Sequence, residues 1–398
     1  MIKKNSGPVT FYYALLQIST WSFYAILMSF SGNVLRSFGF DDSHISLLLG
    51  IASVLALGGQ LVIGELGGRY PNLKVSYILI GLGLTMLFGS LVVRFSPLPV
   101  FVSVVAYGMC CVIVHLVPHL VNALGMDAIR RGSPTNYSLA RAIGSLGFSF
   151  FAYITGALVK AHGIMVVPVL AASSALLLIF SVSFYKRCAV DHLPQVVSEN
   201  APEKKEKRSG AFLRKYPRFA FFLVCAVLLR IGHELMNNFM FQIMQYKNGT
   251  AAQQGIAAAV CAISEIPTML VFPLLLKKLN CDRWLKISAI CMIIKPMGIF
   301  LADSPQGIYF AQATHLIGFG LYTISSVNYV EMLVEKGESV QAQSYLGASL
   351  TCGTLIALFS GGTLCQHFGV STMIFIACIS SVLGGLLVVL TAPKAREG

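Results

Sequence analysis

Apolar runs long enough to cross a lipid bilayer recur along almost all of this 398-residue chain, and that recurrence leaves few folds open. A hydrocarbon core of ~30 Å takes about 20 residues of helix, and every backbone N–H and C=O inside it must be satisfied within the segment. Twelve such runs can be drawn, at 11–32, 44–67, 75–94, 98–122, 134–160, 164–185, 219–241, 254–276, 287–303, 306–330, 342–364 and 371–391. Only 11% of the residues are charged, against roughly 25% in soluble domains, and mean hydropathy is +0.75. The predicted fold class is therefore an all-α membrane protein of twelve transmembrane helices. The apolar run after Met1-Ile-Lys-Lys4 is about twenty residues long with no small-x-small cleavage site behind it, so it reads as a retained first span.

The placement of charge supplies an orientation. With both termini in the cytoplasm, 22 of the 29 Lys and Arg fall in inside segments. Four lie outside (Arg36, Arg94, Lys160, Lys247) and three lie within spans (Arg141, Arg230, Lys295). This asymmetry follows the positive-inside rule and predicts a multi-pass protein of the cell (inner) membrane with cytoplasmic termini. The formal charge of +13 is thus topological, and it implies lipid rather than nucleic acid as the surrounding partner. The longest polar interval, 186–218, carries 9 basic and 4 acidic residues with three prolines, the composition of a flexible linker. It divides the chain into an N-terminal six-helix bundle (1–185) and a C-terminal one (219–398). A weak repeat at a constant offset of 206 residues supports that division: Gly147 falls on Gly353, Gly156 on Gly362, Leu158 on Leu364 and Gly163 on Gly369. Parallel repeats of this kind are found in transporters.

Polar residues inside spans are costly, so each is a candidate for function. Arg141 sits in the fifth expected span, about 10 Å past a Ser133-Pro134 helix start, and either snorkels to the cytoplasmic surface or faces a solute. Gln17, Trp21 and Tyr24 share one face of the first span, either lining a solute path or packing as an interfacial aromatic row. His115 and His119 share a face of the fourth span but lack a third ligand, so they are expected to hydrogen-bond along the path with Asn122 rather than hold a metal. The second half holds more charge. Arg230 and Glu234, four apart in the seventh span beside Asn237, are spaced to pair. Glu265, Lys295 and His315 lie about 16, 12 and 13 Å into the eighth, ninth and tenth spans. Four unpaired charges at such depths would cost on the order of 10–14 kcal/mol, so these groups must pair or face water. They form either a proton relay or charge pairs that hold helices together.

Several of these motifs resemble the major facilitator superfamily. Gly64 and Arg69 match its Gly-x-x-x-Asp-Arg-x-Gly cytoplasmic-loop signature, with Gly68 where the aspartate is expected and Glu65 nearby. Ala140-Arg141-x-x-Gly144-x-x-Gly147-Phe148 is similar to the fifth helix of the lactose and sucrose permeases of the oligosaccharide:proton symporter branch. That resemblance implies a sugar-binding role for Arg141, with Ser145 in place of a cysteine and Phe148 in place of a tryptophan. It also implies solute contact for Glu265 and coupling roles for Lys295 and His315, although Gly318 stands where those permeases carry a proton-accepting glutamate. Thr314-His315 resembles the phenylpropionate-transporter and nucleoside:proton symporter branches at least as well.

The expectation is a secondary active transporter, importing a small polar organic solute such as a sugar with protons by alternating access. Solute contacts are expected from Gln17, Trp21, Tyr24, Arg141, Ser145, Phe148, Asn237 and Glu265. Coupling is expected from Arg230, Glu234, Glu265, Lys295 and His315, and conformational locking from Gly64 and Arg69. Alternatives are a nucleoside or aromatic-acid symporter, an efflux antiporter, and a non-transporting sensor or scaffold. The fifth span lacks the proline of the usual efflux pattern. No nucleophile–base arrangement or phosphate-cradling loop suggests an enzyme, and no cofactor, metal or obligate protein partner is implied.

Overall fold

The computed structural model describes residues 6–69, 74–95, 99–130, 135–188, 209–275, 278–334 and 339–391, and among them there is no β-strand. The helices are α1 (Ser6–Phe23), α2 (Ser31–Ser37), α3 (Asp42–Arg69), α4 (Val75–Phe95), α5 (Val100–Arg130), α6 (Tyr137–His162), α7 (Val166–Cys188), α8 (Ser209–Lys215), α9 (Pro217–Asn238), α10 (Met240–Tyr246), α11 (Ala251–Leu275), α12 (Cys281–Leu301), α13 (Pro305–Ala313), α14 (Phe319–Leu333), α15 (Ser339–Phe368) and α16 (Val370–Thr391). Among the described residues, nine helices are long and apolar enough to cross a membrane, or ten if the bent first helix counts as one span. The two remaining runs of the twelve expected are α11 and the interrupted segment from Pro305 to Leu333.

Two compact units result: 1–198 with 250–259, and 199–249 with 260–398. In the first, α1 packs on α5, α6 and α7, while α4 packs on α5 and α7. In the second, α9 packs on α15 and α16, and α12 on α14 and α16. Large apolar side chains such as Phe88, Phe101, Phe150, Phe310 and Leu390 are exposed, as a lipid-facing surface requires.

Lipid tails are as apolar as the helices, so close packing needs small residues at the contacts. The repeated glycines meet that need. A β-carbon on Gly147 would lie 3.1 Å from Ile18 Cγ2 of α1, and one on Gly353 would lie 2.7 Å from Arg230 Cβ and 2.9 Å from the Val227 carbonyl of α9. Gly163 and Gly369, the other repeated pair, both follow a helix at positive φ (+81° and +85°), where a side chain is strained.

Several boundaries differ from the sequence expectation. The Ser133-Pro134 start lies outside the described residues. Helix α6 begins at Tyr137, where the Asn136 side chain accepts from the Leu139 N–H at 3.1 Å. Arg141 is thus only about 6 Å inside its helix. Gly64 and Arg69, expected in a cytoplasmic loop, are helical because α3 runs on to Arg69 with no proline before Pro71 to stop it. The rest of that loop signature, 70–73, lies outside the described residues, as does most of the 186–218 linker. Glu265 and Lys295 lie deeper than expected, about 21 Å into α11 and α12, because both helices start earlier.

Two helices are interrupted. After α1, a π-helical turn (Tyr24–Met28) leads to a 43° bend before α2. Between α13 and α14, a 3₁₀ turn (Thr314–Leu316) carries His315. The Leu316 carbonyl at that break accepts from Thr268 Oγ1 of α11 at 2.6 Å. Gly318, just beyond it, lies so near α12 that a β-carbon would be 3.3 Å from the Cys291 carbonyl.

A bulky side chain at Gly353 must push α15 off α9. We expect Gly353→Val to destabilise the protein by about 1–3 kcal/mol, lowering the melting temperature of the detergent-solubilised chain. Gly347→Ala on the same helix, where a β-carbon meets nothing within 4 Å, should be neutral or gain about 0.5–1 kcal/mol.

Candidate functional site

Two groups of buried polar side chains stand out, one in each unit. In the first unit they gather on the inner faces of α1, α5 and α6. Gly144 makes the room: a β-carbon there would lie 2.8 Å from Trp21 Cδ1 and 3.1 Å from Gln17 Cβ. The Arg141 guanidinium lies over the Trp21 ring, 4.0 Å from its centroid, and its Nη1 donates to Ser145 Oγ at 2.8 Å. The indole Nε1 donates to Gln17 Oε1 at 3.1 Å. Because an indole N–H only donates, this orients the Gln17 amide. Its Nε2 donates to Tyr13 OH at 3.0 Å and to Asn122 Oδ1 at 3.1 Å, and Tyr13 OH donates to the Val121 carbonyl at 3.1 Å. Trp21, Tyr24 and His115 continue as a row of rings at 5.7 Å intervals.

Gln17, Trp21, Tyr24, Arg141 and Ser145 are therefore in one place, joined by Asn122 and His115. His119 is exposed. Phe148 is half-buried and, among the described residues, makes no ring contact with this group. Arg141 bends along its own helix to Ser145 and onto an aromatic face rather than extending to the membrane surface.

In the second unit, α9, α11, α12 and the 3₁₀ turn converge. Lys295 is buried and donates to Asn237 Oδ1 at 2.7 Å. Its Nζ also lies 3.5 Å from His315 Nδ1 and 3.6 Å from Cys261 Sγ. On the other side of the ring, His315 Nε2 meets Glu265 Oε1 at 2.7 Å. An ammonium facing Nδ1 makes that nitrogen the acceptor, so Nε2 carries the proton and donates to the carboxylate. His315 thus bridges Lys295 and Glu265.

Beside this chain, Arg230 Nη2 and Glu234 Oε1 pair at 2.6 Å. Asn238 Nδ2 donates to the other carboxylate oxygen at 2.5 Å, and Arg230 Nε donates to Thr354 Oγ1 at 3.0 Å. His233 lies between the two networks. Its ring is nearly parallel to Phe319, with centroids 4.0 Å apart, and to His315 at 5.1 Å. Two imidazolium charges at that separation would repel by about 3 kcal/mol at an effective dielectric constant near 20, which disfavours charging both. A narrow recess borders Lys295, Thr314, His315, Phe319 and His233.

The structure thus brings Asn237, Glu265, Lys295 and His315 into one hydrogen-bonded chain and sets Arg230–Glu234 next to it. Sequence reasoning passed over His233, Asn238 and Phe319. The spacing did hold a signal for the first two: His233 with Asn237, and Glu234 with Asn238, each repeat the four-residue interval of Arg230 with Glu234.

The fold has many counterparts among solved transporters. A mutant of the nucleoside transporter NupG matches with a TM-score of 0.78 at 15% identity, covering 97% of this chain and 100% of that one. A bacterial homologue of the iron transporter ferroportin, in an inward-facing state, matches with a TM-score of 0.71 at 13% identity over 97% and 99% of the two chains. A D-xylose-proton symporter matches with a TM-score of 0.69 at 12% identity over 99% and 98%. No curated protein matches the sequence. Residues 11–383 match the MFS_1 like family. With its helical membrane fold and transporter neighbours, the chain belongs to the MFS_1 like family and is a multi-pass transporter of the major facilitator type rather than an enzyme.

Proposed function

We propose that the protein is a proton-coupled symporter that takes up a small polar organic solute such as a sugar. The observation that carries this reading is the chain Glu265–His315–Lys295–Asn237. A buried ammonium faces a carboxylate through one imidazole, so a proton added to Glu265 removes the negative charge that balances Lys295. The ammonium is then left uncompensated at hydrocarbon depth, a state costly enough to drive rearrangement. Glu234 fits the proton-accepting role less well, because Arg230 and Asn238 already donate to both of its oxygens. Proton loading on Glu265 also suits a chain with Gly318 where the permeases carry a glutamate.

Solute recognition is assigned to the first-unit group. A guanidinium stacked on an indole still presents in-plane N–H donors to hydroxyl or carbonyl oxygens, while the ring row from Trp21 to His115 offers apolar faces. That row also favours a second reading, in which the solute is a nucleoside whose base stacks on it. The Lys and Arg asymmetry supports insertion in the cell (inner) membrane with both termini cytoplasmic.

Right-side-out vesicles bearing the protein, offered D-xylose, sucrose, uridine or phenylpropionate, test these readings. Symport predicts that one of these solutes alkalinises the medium as it enters. Expulsion of solute on energisation would instead establish an efflux antiporter. Glu265→Gln is expected to abolish uphill accumulation while retaining solute exchange at equal pH on both sides; normal accumulation would remove Glu265 from coupling. Arg141→Lys, which loses the planar fork and its stack on Trp21, is expected to raise the KM for exchange by about 10-fold or more.

A further inference from the structure

We propose that His233 is a positioning residue for Lys295: while its ring is neutral it orients the Asn237 amide that holds the ammonium, and when it takes a proton the amide turns and Lys295 is released. The assignment follows from donor and acceptor chemistry alone. A lysine ammonium has no acceptor, so the Asn237 atom 2.7 Å from Lys295 Nζ is the carbonyl oxygen. The amide nitrogen then faces His233 Nε2, also at 2.7 Å. That nitrogen can only donate, so His233 Nε2 accepts and the ring is neutral with its hydrogen on Nδ1.

A proton on His233 Nε2 would bring two donors to 2.7 Å. The amide relieves this by turning over, which presents Oδ1 to the imidazolium and Nδ2 to the ammonium. Lys295 then loses its closest acceptor and keeps only the longer contacts to His315 Nδ1 at 3.5 Å and Cys261 Sγ at 3.6 Å. Lys295 faces His233 from α12, His315 from the 3₁₀ turn (with Glu265 of α11 behind it), and Arg230 from its own helix, where Glu234 is paired to Arg230. From α14, Phe319 covers the ring face. The Asn237 amide is thus shared by two groups that cannot both be charged and bonded to it. As a device for coupling, this switch rests on the symport reading; its geometry and its test do not.

Folding linkage gives the sign. Unfolded His233 gains a proton as the pH falls through the ordinary imidazole range, whereas the folded ring, fixed as an acceptor, resists doing so. The unfolded state then binds more protons, so folded stability falls on acidification. The test compares melting temperatures of the full chain in detergent at about pH 7.5 and about pH 5.5. His233→Gln keeps an acceptor for Asn237 but never titrates. The wild type is expected to lose about 2–4 °C more than His233→Gln over that interval. Lys295→Met frees the amide to turn without penalty, so it should remove the same acid-dependent loss, and the double variant should remove no more than either one. A purely structural role for His233 would shift both temperatures together. The proposal is overturned if His233→Gln keeps the wild-type loss on acidification, or if the two substitutions act additively on it. Should His233→Gln fail to fold, Lys295→Met alone decides, since an unchanged acid-dependent loss in that variant also overturns it. None of these outcomes depends on whether a solute is found, so a failed transport assay and a failed switch remain distinguishable.

Discussion

A lysine ammonium as buried as Lys295 must be balanced largely by protein groups, and its neighbours in the second unit answer that demand. One carboxylate at direct contact would satisfy it simply and also hold it in place. Here the charge is spread instead: Asn237 takes one hydrogen bond, and the His315 ring passes the influence of Glu265 across to it. Each of these partners is neutral or removable, so the balance is sufficient without being rigid. By contrast, Arg230 and Glu234 meet directly, with Thr354 and Asn238 completing their hydrogen bonds. Among the described residues, the direct Arg230–Glu234 pair thus stands beside a Lys295–Glu265 pair mediated by His315.

The first unit uses its single embedded arginine differently. Arg141 is turned along α6 toward Ser145 and laid on Trp21, in space that exists because residue 144 has no side chain. Below it, the chain Trp21–Gln17–Tyr13 is ordered by donors that cannot reverse, ending at a backbone carbonyl of α5. The two halves share glycine positions at helix contacts, yet Gly347 stands in the second half where Arg141 stands in the first. The glycine contacts recur in the second half; the embedded arginine does not.

The all-helical membrane class was legible because it follows from composition and run length, which need no knowledge of neighbours. The Arg230–Glu234 pair was legible for a similar reason: both ends sit on one helix at a fixed interval. Glu265, Lys295 and His315 could be singled out by depth alone, but their joining could not, since it depends on how three helices are rotated about their axes. The same rotation turns His233 onto Phe319 and His315. The start of α6 was misread because Ser133-Pro134 is a strong local signal, while the cap in the structure, Asn136, is followed by an equally helical Tyr-Ser-Leu run. The end of α3 was misread because glycines suggested a loop where only a proline would have forced one.

The interruption at Thr314–Leu316 has a mechanical consequence. In an unbroken helix, moving one residue sideways distorts several consecutive backbone hydrogen bonds. At this break, the Leu316 carbonyl is tied sideways to Thr268, and Gly318 follows with no side chain to wedge against α12. A displacement of His315 therefore strains that lateral tie together with the side-chain contacts to Glu265 and Lys295, rather than a regular run of helical hydrogen bonds. The imidazole that bridges acid and ammonium is mounted on the break in its span.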